Sequence, residues 1–125
     1  MTVLIVDDDV DFRDMVALVL SSEGFETETA ADGERALASL RRAPAPSVVF
    51  LDLRMPGLNG FEVLSAARSD AAIAAIPIVV MTGDSASVPR ALAAGAVACL
   101  VKPLDADEIV AVARRFTGCP GTAAA

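Results

Sequence analysis

The stretch that most constrains this chain is Val48-Val49-Phe50-Leu51-Asp52-Leu53-Arg54-Met55-Pro56. Consecutive apolar residues from Val48 to Leu51 read as a strand buried on both faces, the pattern of a parallel sheet. The run stops on a carboxylate, and Pro56 and Gly57 then forbid continued regular structure. Asp52 is therefore expected at the carboxyl end of a central strand, the edge where open α/β sheets bind ligands. Taken alone, Asp52 could equally start a loop or cap a helix. Three further strand-like runs that end on chemically suggestive residues shift that balance.

Thr2 to Val6 is followed at once by Asp7-Asp8-Asp9, Ile78 to Met81 runs into Thr82-Gly83-Asp84, and Ala98 to Val101 ends at Lys102-Pro103. Between the strands the apolar residues change to helical spacing. Phe12, Met15, Val16, Val19 and Leu20 form one face, with Asp9 placed as N-cap or first-turn acid and Gly24 as the stop. Phe25 to Ala30 is a second, more polar strand suited to a sheet edge. Asp32-Gly33 opens a helix carrying Ala36, Leu37 and Leu40, and Pro44 and Pro46 mark the loop beyond it. A third helix runs from about Gly60 to Ser69, with Val63, Leu64 and Ala67 inward. Val88, Ala91, Leu92 and Gly95 predict a short fourth helix with Pro89 in its first turn. The last, about Asp105 to Phe116, turns Ile109, Val112, Ala113 and Phe116 to the sheet. Five strands alternating with five helices predict one α/β domain with a parallel sheet, residues 1–117, and a frayed tail, residues 118–125.

Composition narrows the chemistry by what it withholds. Apolar residues make up 54% of the chain, yet no run approaches the ~20 needed to span a bilayer, and the start lacks a signal peptide's charge. A soluble, cytoplasmic domain without membrane contact is expected. A net charge of −7 argues against direct binding of nucleic acid. Cys99 and Cys119 match no metal spacing and are read as reduced thiols. With no histidine, a Ser/His/Asp triad, a His-ligated zinc and a phosphohistidine are all excluded. Nine of the ten basic residues are arginine, and Lys102 is the one lysine. That is either codon bias or a position that requires a compact, flexible ammonium.

The strand ends thus deliver Asp7, Asp8, Asp52, Thr82 and Lys102 to one edge of the sheet. Singly, each has a plain explanation as a cap or a solvated charge. Together they face an electrostatic constraint. Two carboxylates ~4 Å apart repel by roughly 4 kcal/mol at an effective dielectric near 20. Lys102 cannot balance three of them, so a hard divalent cation with oxygen ligands, best met by Mg²⁺, would complete the site. An ammonium and a hydroxyl beside such an ion could stabilise a phosphoryl group in transfer. Asp52, on the middle strand, is the candidate acceptor.

These residues resemble the receiver domains of two-component response regulators. The resemblance rests on Asp7-Asp8, on Asp52-x-x-Met55-Pro56-x-x-x-Gly60, on Thr82 and on Lys102-Pro103, and it covers Thr2 to about Phe116. It implies a doubly wound, flavodoxin-like fold with strand order 2-1-3-4-5, a topology of which members of this family are familiar examples. It also implies that Asp52 takes a phosphoryl group from a histidine kinase or a histidine phosphotransfer protein. Asp8, Asp52 and the backbone carbonyl of Arg54 would bind Mg²⁺, with Asp7 acting through water, while Thr82 and Lys102 would hold phosphate oxygens. A cis Lys102–Pro103 bond is implied as well. Such a chain is a signalling switch that assists its own phosphorylation and hydrolysis, without turnover as an enzyme.

One position departs from the family pattern. An aromatic residue usually stands three places before the lysine, and here it is Cys99. The smaller side chain cannot exchange a large apolar surface, so switching is expected to rely on Thr82 and on movement of the segment up to Ala94. The signal would pass to a downstream protein or output domain through the surface of the fourth helix, fifth strand and fifth helix, a surface that is also a candidate for homodimer formation. Arg54 and Asp84, two residues after Asp52 and Thr82, are expected to pair across the mouth of the site and slow hydrolysis. Cys99 also motivates the alternative of a phosphorylation-independent interaction module of the same fold. A flavodoxin-type electron carrier lacks its phosphate-cradling loop and aromatic stackers. A carboxylate-nucleophile phosphatase lacks a second acid, since Arg54 occupies that place. Such a chain is expected to be either a stand-alone receiver or a piece of a longer regulator or hybrid kinase.

Overall fold

The computed structural model describes residues 2–55 and 57–117. The expected tail, 118–125, with Cys119 in it, and Pro56 of the central motif lie outside the described residues. In chain order the elements are β1 (Thr2–Val6), α1 (Val10–Ser22), β2 (Glu26–Ala30), α2 (Gly33–Arg41), β3 (Val48–Asp52) and α3 (Gly60–Ser69). β4 (Ile78–Thr82), a 3₁₀ turn (Ser85–Ser87), α4 (Val88–Ala93), β5 (Ala98–Val101) and α5 (Ala106–Thr117) complete them. All strands are parallel, in the order β2-β1-β3-β4-β5. This is the expected doubly wound sheet, with polar β2 at one edge.

Alternation along the strands builds two apolar layers. Val49 and Leu51 of β3 face the side of Leu37, Leu40, Val63, Leu64 and Ala91, where α2, α3 and α4 pack. Val48 and Phe50 face the other side with Val16, Leu20, Ile109 and Ala113 of α1 and α5. Every residue of β3 and β4 is buried. Continuous apolar runs are what such a position requires.

Helix starts follow their caps. The Asp9 side chain accepts from the amides of Asp11 and Phe12 at the head of α1, and Asp32 accepts from Arg35 at α2. At α3 a capping box joins Asn59 and Glu62 reciprocally. Two expectations of burial are corrected. Met15 is 39% exposed and Leu92 46% exposed. The inward stripe of α1 is centred on Val16 and Leu20, which leaves Met15 on its flank. In α4 only Ala91 is buried, because the helix is six residues long and offers a single turn to the sheet. The expected inward set of α5 gains Val110, which is buried beside Ile109 and Ala113.

Candidate functional site

The carboxyl ends of β1, β3, β4 and β5 place the charged groups together. Asp7 directly follows β1 and is 1% exposed, Asp52 ends β3 at 5%, and Thr82 ends β4 at 2%. Lys102 follows β5, where its amide donates to the Thr82 carbonyl at 2.8 Å. Asp8 is exposed. Carboxylate oxygens of Asp7, Asp8 and Asp52 all lie within 4.8 Å of one another. The Lys102 ammonium donates to Asp7 Oδ2 at 3.3 Å and to Asp52 Oδ1 at 3.4 Å.

Close backbone packing supports the end of β3 from behind. The Gly60 amide donates to the Leu53 carbonyl at 3.1 Å. A Cβ on Gly60 would meet Leu53 Cα at 2.6 Å and the Asp52 carbonyl oxygen at 2.7 Å. Only glycine lets α3 begin this near Asp52. Around Asp7, Oδ1 accepts from the Asp9 amide at 2.9 Å, and its carbonyl accepts from Arg13 Nη1 at 2.9 Å.

Burial pushes the Asp52 carboxyl above its ordinary range, and the Asp7 charge pushes it further. Lys102 and the backbone amide of Arg54 oppose that rise. Positive charge brought beside Asp52 favours its ionised form. Three clustered carboxylates are hard oxygen donors of the kind Mg²⁺ takes, so the residues present fit that ion.

The side chains of the remaining predicted residues bond outside the carboxylate cluster. The Thr82 hydroxyl donates to the Asp84 carbonyl at 3.3 Å and accepts from the Asp84 amide at 3.0 Å, so it is bonded within its own turn and not to the carboxylates. Arg54 Nη2 lies 4.0 Å from Asp84 Oδ2, with the two side chains 81% and 43% exposed. Asp84 also accepts from Ala86 N and Ser87 Oγ and so starts the 3₁₀ turn. Cys99 is half-buried, its thiol 3.9 Å from the Val88 carbonyl at the head of α4, and burial raises its pKa. The Lys102–Pro103 bond is cis, as is Ala43–Pro44.

Sequence reasoning missed three contacts. The ring of Phe12 lies 4.3 Å from Lys102 Nζ, Arg13 holds the Asp7 carbonyl, and Arg68 binds carbonyls on two loops. Phe12 is legible only as an apolar position on α1. No spacing rule marks the two arginines.

A family model described as the response regulator receiver domain matches residues 3–114. This chain belongs to that family. The DNA-binding response regulator MtrA of Mycobacterium tuberculosis is 39% identical over 114 residues, 90% of this chain and 48% of MtrA. A CpxR homolog of Haemophilus influenzae, named a transcriptional regulatory protein, is 36% identical over 110 residues, 86% of this chain and 46% of that protein. The chain therefore spans about half the length of the curated relatives it matches, and their names describe the longer proteins. Among solved structures, the receiver domain of NtrX from Brucella abortus shares 38% identity with a TM-score of 0.84, covering 93% of this chain and 98% of that one. Chemotaxis protein CheY4 of Vibrio cholerae shares 35% with a TM-score of 0.83, covering 92% and 97%.

A receiver domain of two-component systems is a signalling switch, not an enzyme in the ordinary sense. Response regulators work with histidine kinases and output domains. Among the described residues of this receiver, no helix is long and apolar enough to cross a membrane.

Proposed function

We propose that this receiver takes a phosphoryl group onto Asp52 from the phosphohistidine of a histidine kinase or a histidine phosphotransfer protein. The observation that carries the reading is the Lys102 ammonium bridging Asp7 and Asp52 inside a cluster of three carboxylates. A resident cation at that point lowers the cost of ionising Asp52 and offers its charge to phosphoryl oxygens. In the reaction, a carboxylate oxygen of Asp52 bonds to phosphorus as the phosphorus–nitrogen bond of the donor breaks. The departing imidazole nitrogen takes up a proton from solvent.

Asp8, Asp52 and the Arg54 carbonyl would hold Mg²⁺, with Asp7 acting through water. Bound there, the ion supplies the positive charge that neutralises the carboxylates and the phosphoryl oxygens. Thr82 would leave its turn with Asp84 to hold a phosphoryl oxygen, which displaces the segment from Thr82 to Ala94 that contains α4. With Cys99 in the aromatic position, that displacement carries the signal to the α4-β5-α5 surface, and from there to a downstream protein or output domain.

Incubation with phosphoramidate and Mg²⁺, read by intact mass, tests the reading. A gain of one phosphoryl group that is lost in Asp52→Ala is the expected result. A wild-type chain that gains no mass would instead favour an interaction module that signals without phosphorylation.

A further inference from the structure

Lys102 is the only lysine in the chain, and among the described residues three groups surround its ammonium. Two are the carboxylates of Asp7 and Asp52, at 3.3 and 3.4 Å. The third is the Phe12 ring, whose centroid lies 4.3 Å from Nζ. Phe12 stands there because the Asp9 carboxylate accepts from its amide and from that of Asp11, which fixes the first turn of α1. The ring is half-buried and packs on the layer formed by α1 and α5. An aromatic face attracts a cation, and it restricts a four-carbon stem that otherwise samples many rotamers. An aliphatic side chain could fill the same space without that attraction.

We infer that Phe12 is a positioning residue for phosphoryl transfer, its ring holding the Lys102 ammonium over the Asp52 carboxylate where phosphoryl oxygens arrive. The inference rests on the reading of Asp52 as acceptor. Phe12 touches no reacting atom and acts only through Lys102. Without the ring, the ammonium divides its time between the carboxylates and solvent. The reaction then slows by roughly three- to tenfold, the size of a partly desolvated cation–π contact. The effect stays modest because Asp7 and Asp52 still attract the amine.

A single lysine makes the test unambiguous. In protein labelled with ¹³C-lysine, the Lys102 ε-methylene gives one resonance, which the Phe12 ring current shifts upfield. Phe12→Leu and Phe12→Met remove the ring, and Phe12→Tyr keeps one. Each is compared by that resonance and by its rate of phosphorylation from phosphoramidate with Mg²⁺. The expected result is an upfield resonance and normal rate in wild type and Phe12→Tyr, with the resonance moved downfield and the rate reduced in the other two. An unmoved resonance, or wild-type rates in both Phe12→Leu and Phe12→Met, overturns the role of Phe12 alone. A wild-type chain that takes no phosphoryl group overturns the reading of Asp52, and the positioning role falls with it.

Discussion

Arg68 grips the carbonyl of Gly95 with two nitrogens of its guanidinium, Nε at 3.1 Å and Nη2 at 2.8 Å. The third, Nη1, donates to the carbonyls of Ala74 at 2.7 Å and Ile76 at 3.1 Å. One side chain at the end of α3 thus ties the approach to β4 to the turn after α4. Its partial burial lowers the arginine's pKa, but a guanidinium remains charged.

Removing this clamp should destabilise the fold. Arg68→Ala strips charged donors from three carbonyls and is expected to cost about 2–3 kcal/mol. Arg68→Lys recovers less than half of that, since one ammonium cannot fork to all three. Gly95 has φ +114°, and a Cβ there would lie 2.7 Å from Arg68 Nε. Gly95→Ala is therefore expected to cost about 1–3 kcal/mol on backbone strain alone. Urea unfolding of both single variants and the double variant should give a double loss smaller than the sum, because the two changes break the same contact.

Asp52 sets a pH dependence with a definite sign. In metal-free protein its pKa is raised, by burial first and by Asp7 second. The native state therefore keeps a proton that the unfolded chain gives up from about 3.8 upward. Stability contributed by that proton is present at low pH and is lost as pH rises through the raised value. In chelator, Asp52→Asn should melt higher than wild type at neutral pH. The gap should close as pH falls to about 4 and below. Thermal midpoints of the two proteins across that range check it, and a gap that widens toward acid would contradict the assignment.

Mg²⁺ should stabilise the wild-type chain beyond any salt effect. An ion about tenfold above its dissociation constant that binds only the folded state contributes about 1.4 kcal/mol. For a domain of this size that is roughly 3–6 °C. Asp8→Ala relieves repulsion with Asp7 and Asp52, so it should hold or raise the metal-free midpoint while removing most of the Mg²⁺-dependent rise. Differential scanning fluorimetry with NaCl at matched ionic strength provides the comparison.

Much of this arrangement is legible in the sequence because particular residues leave little choice. Val48 to Leu51 and Ile78 to Met81 are apolar at successive positions, so they fit only strands covered on both faces. α3 has the expected limits because Asn59 and Glu62 cap each other and fix its start. Met15 and Leu92 depart from their expected burial for one reason: each sits beside a second apolar residue that could define the inward face. Packing, not periodicity, chose Val16, Leu20 and Ala91. Within the site, Asp7, Asp52 and Lys102 announce themselves as charges ending apolar strands. Phe12 over Lys102 and Arg68 on Gly95 do not, because each contact joins segments that only the folded topology brings together.

Arg54 and Asp84 offer a test of how long the phosphorylated state lasts. Their side chains approach to 4.0 Å with Arg54 largely and Asp84 partly in solvent, an arrangement that contributes at most about 1 kcal/mol to stability. The pair therefore does little for the fold. Its position matters more: Arg54 follows Asp52 by two residues and Asp84 follows Thr82 by two, so on the proposed reading of Asp52 both would border the route of water to its acyl phosphate. Arg54→Ala should melt within about 0.5 kcal/mol of wild type, while the acyl phosphate hydrolyses roughly threefold faster, a change of about 0.65 kcal/mol in the barrier. Asp84→Ala also unpairs Arg54, and if the two act as a unit the double variant should hydrolyse no faster than either single one. Raised ionic strength screens an exposed pair, so salt should shorten the wild-type lifetime and leave that of Arg54→Ala nearly constant. Loss of the phosphoryl group timed by intact mass measures wild type and all three variants. A dephosphorylation rate unchanged in Arg54→Ala would show that water reaches Asp52 by a path this pair does not guard.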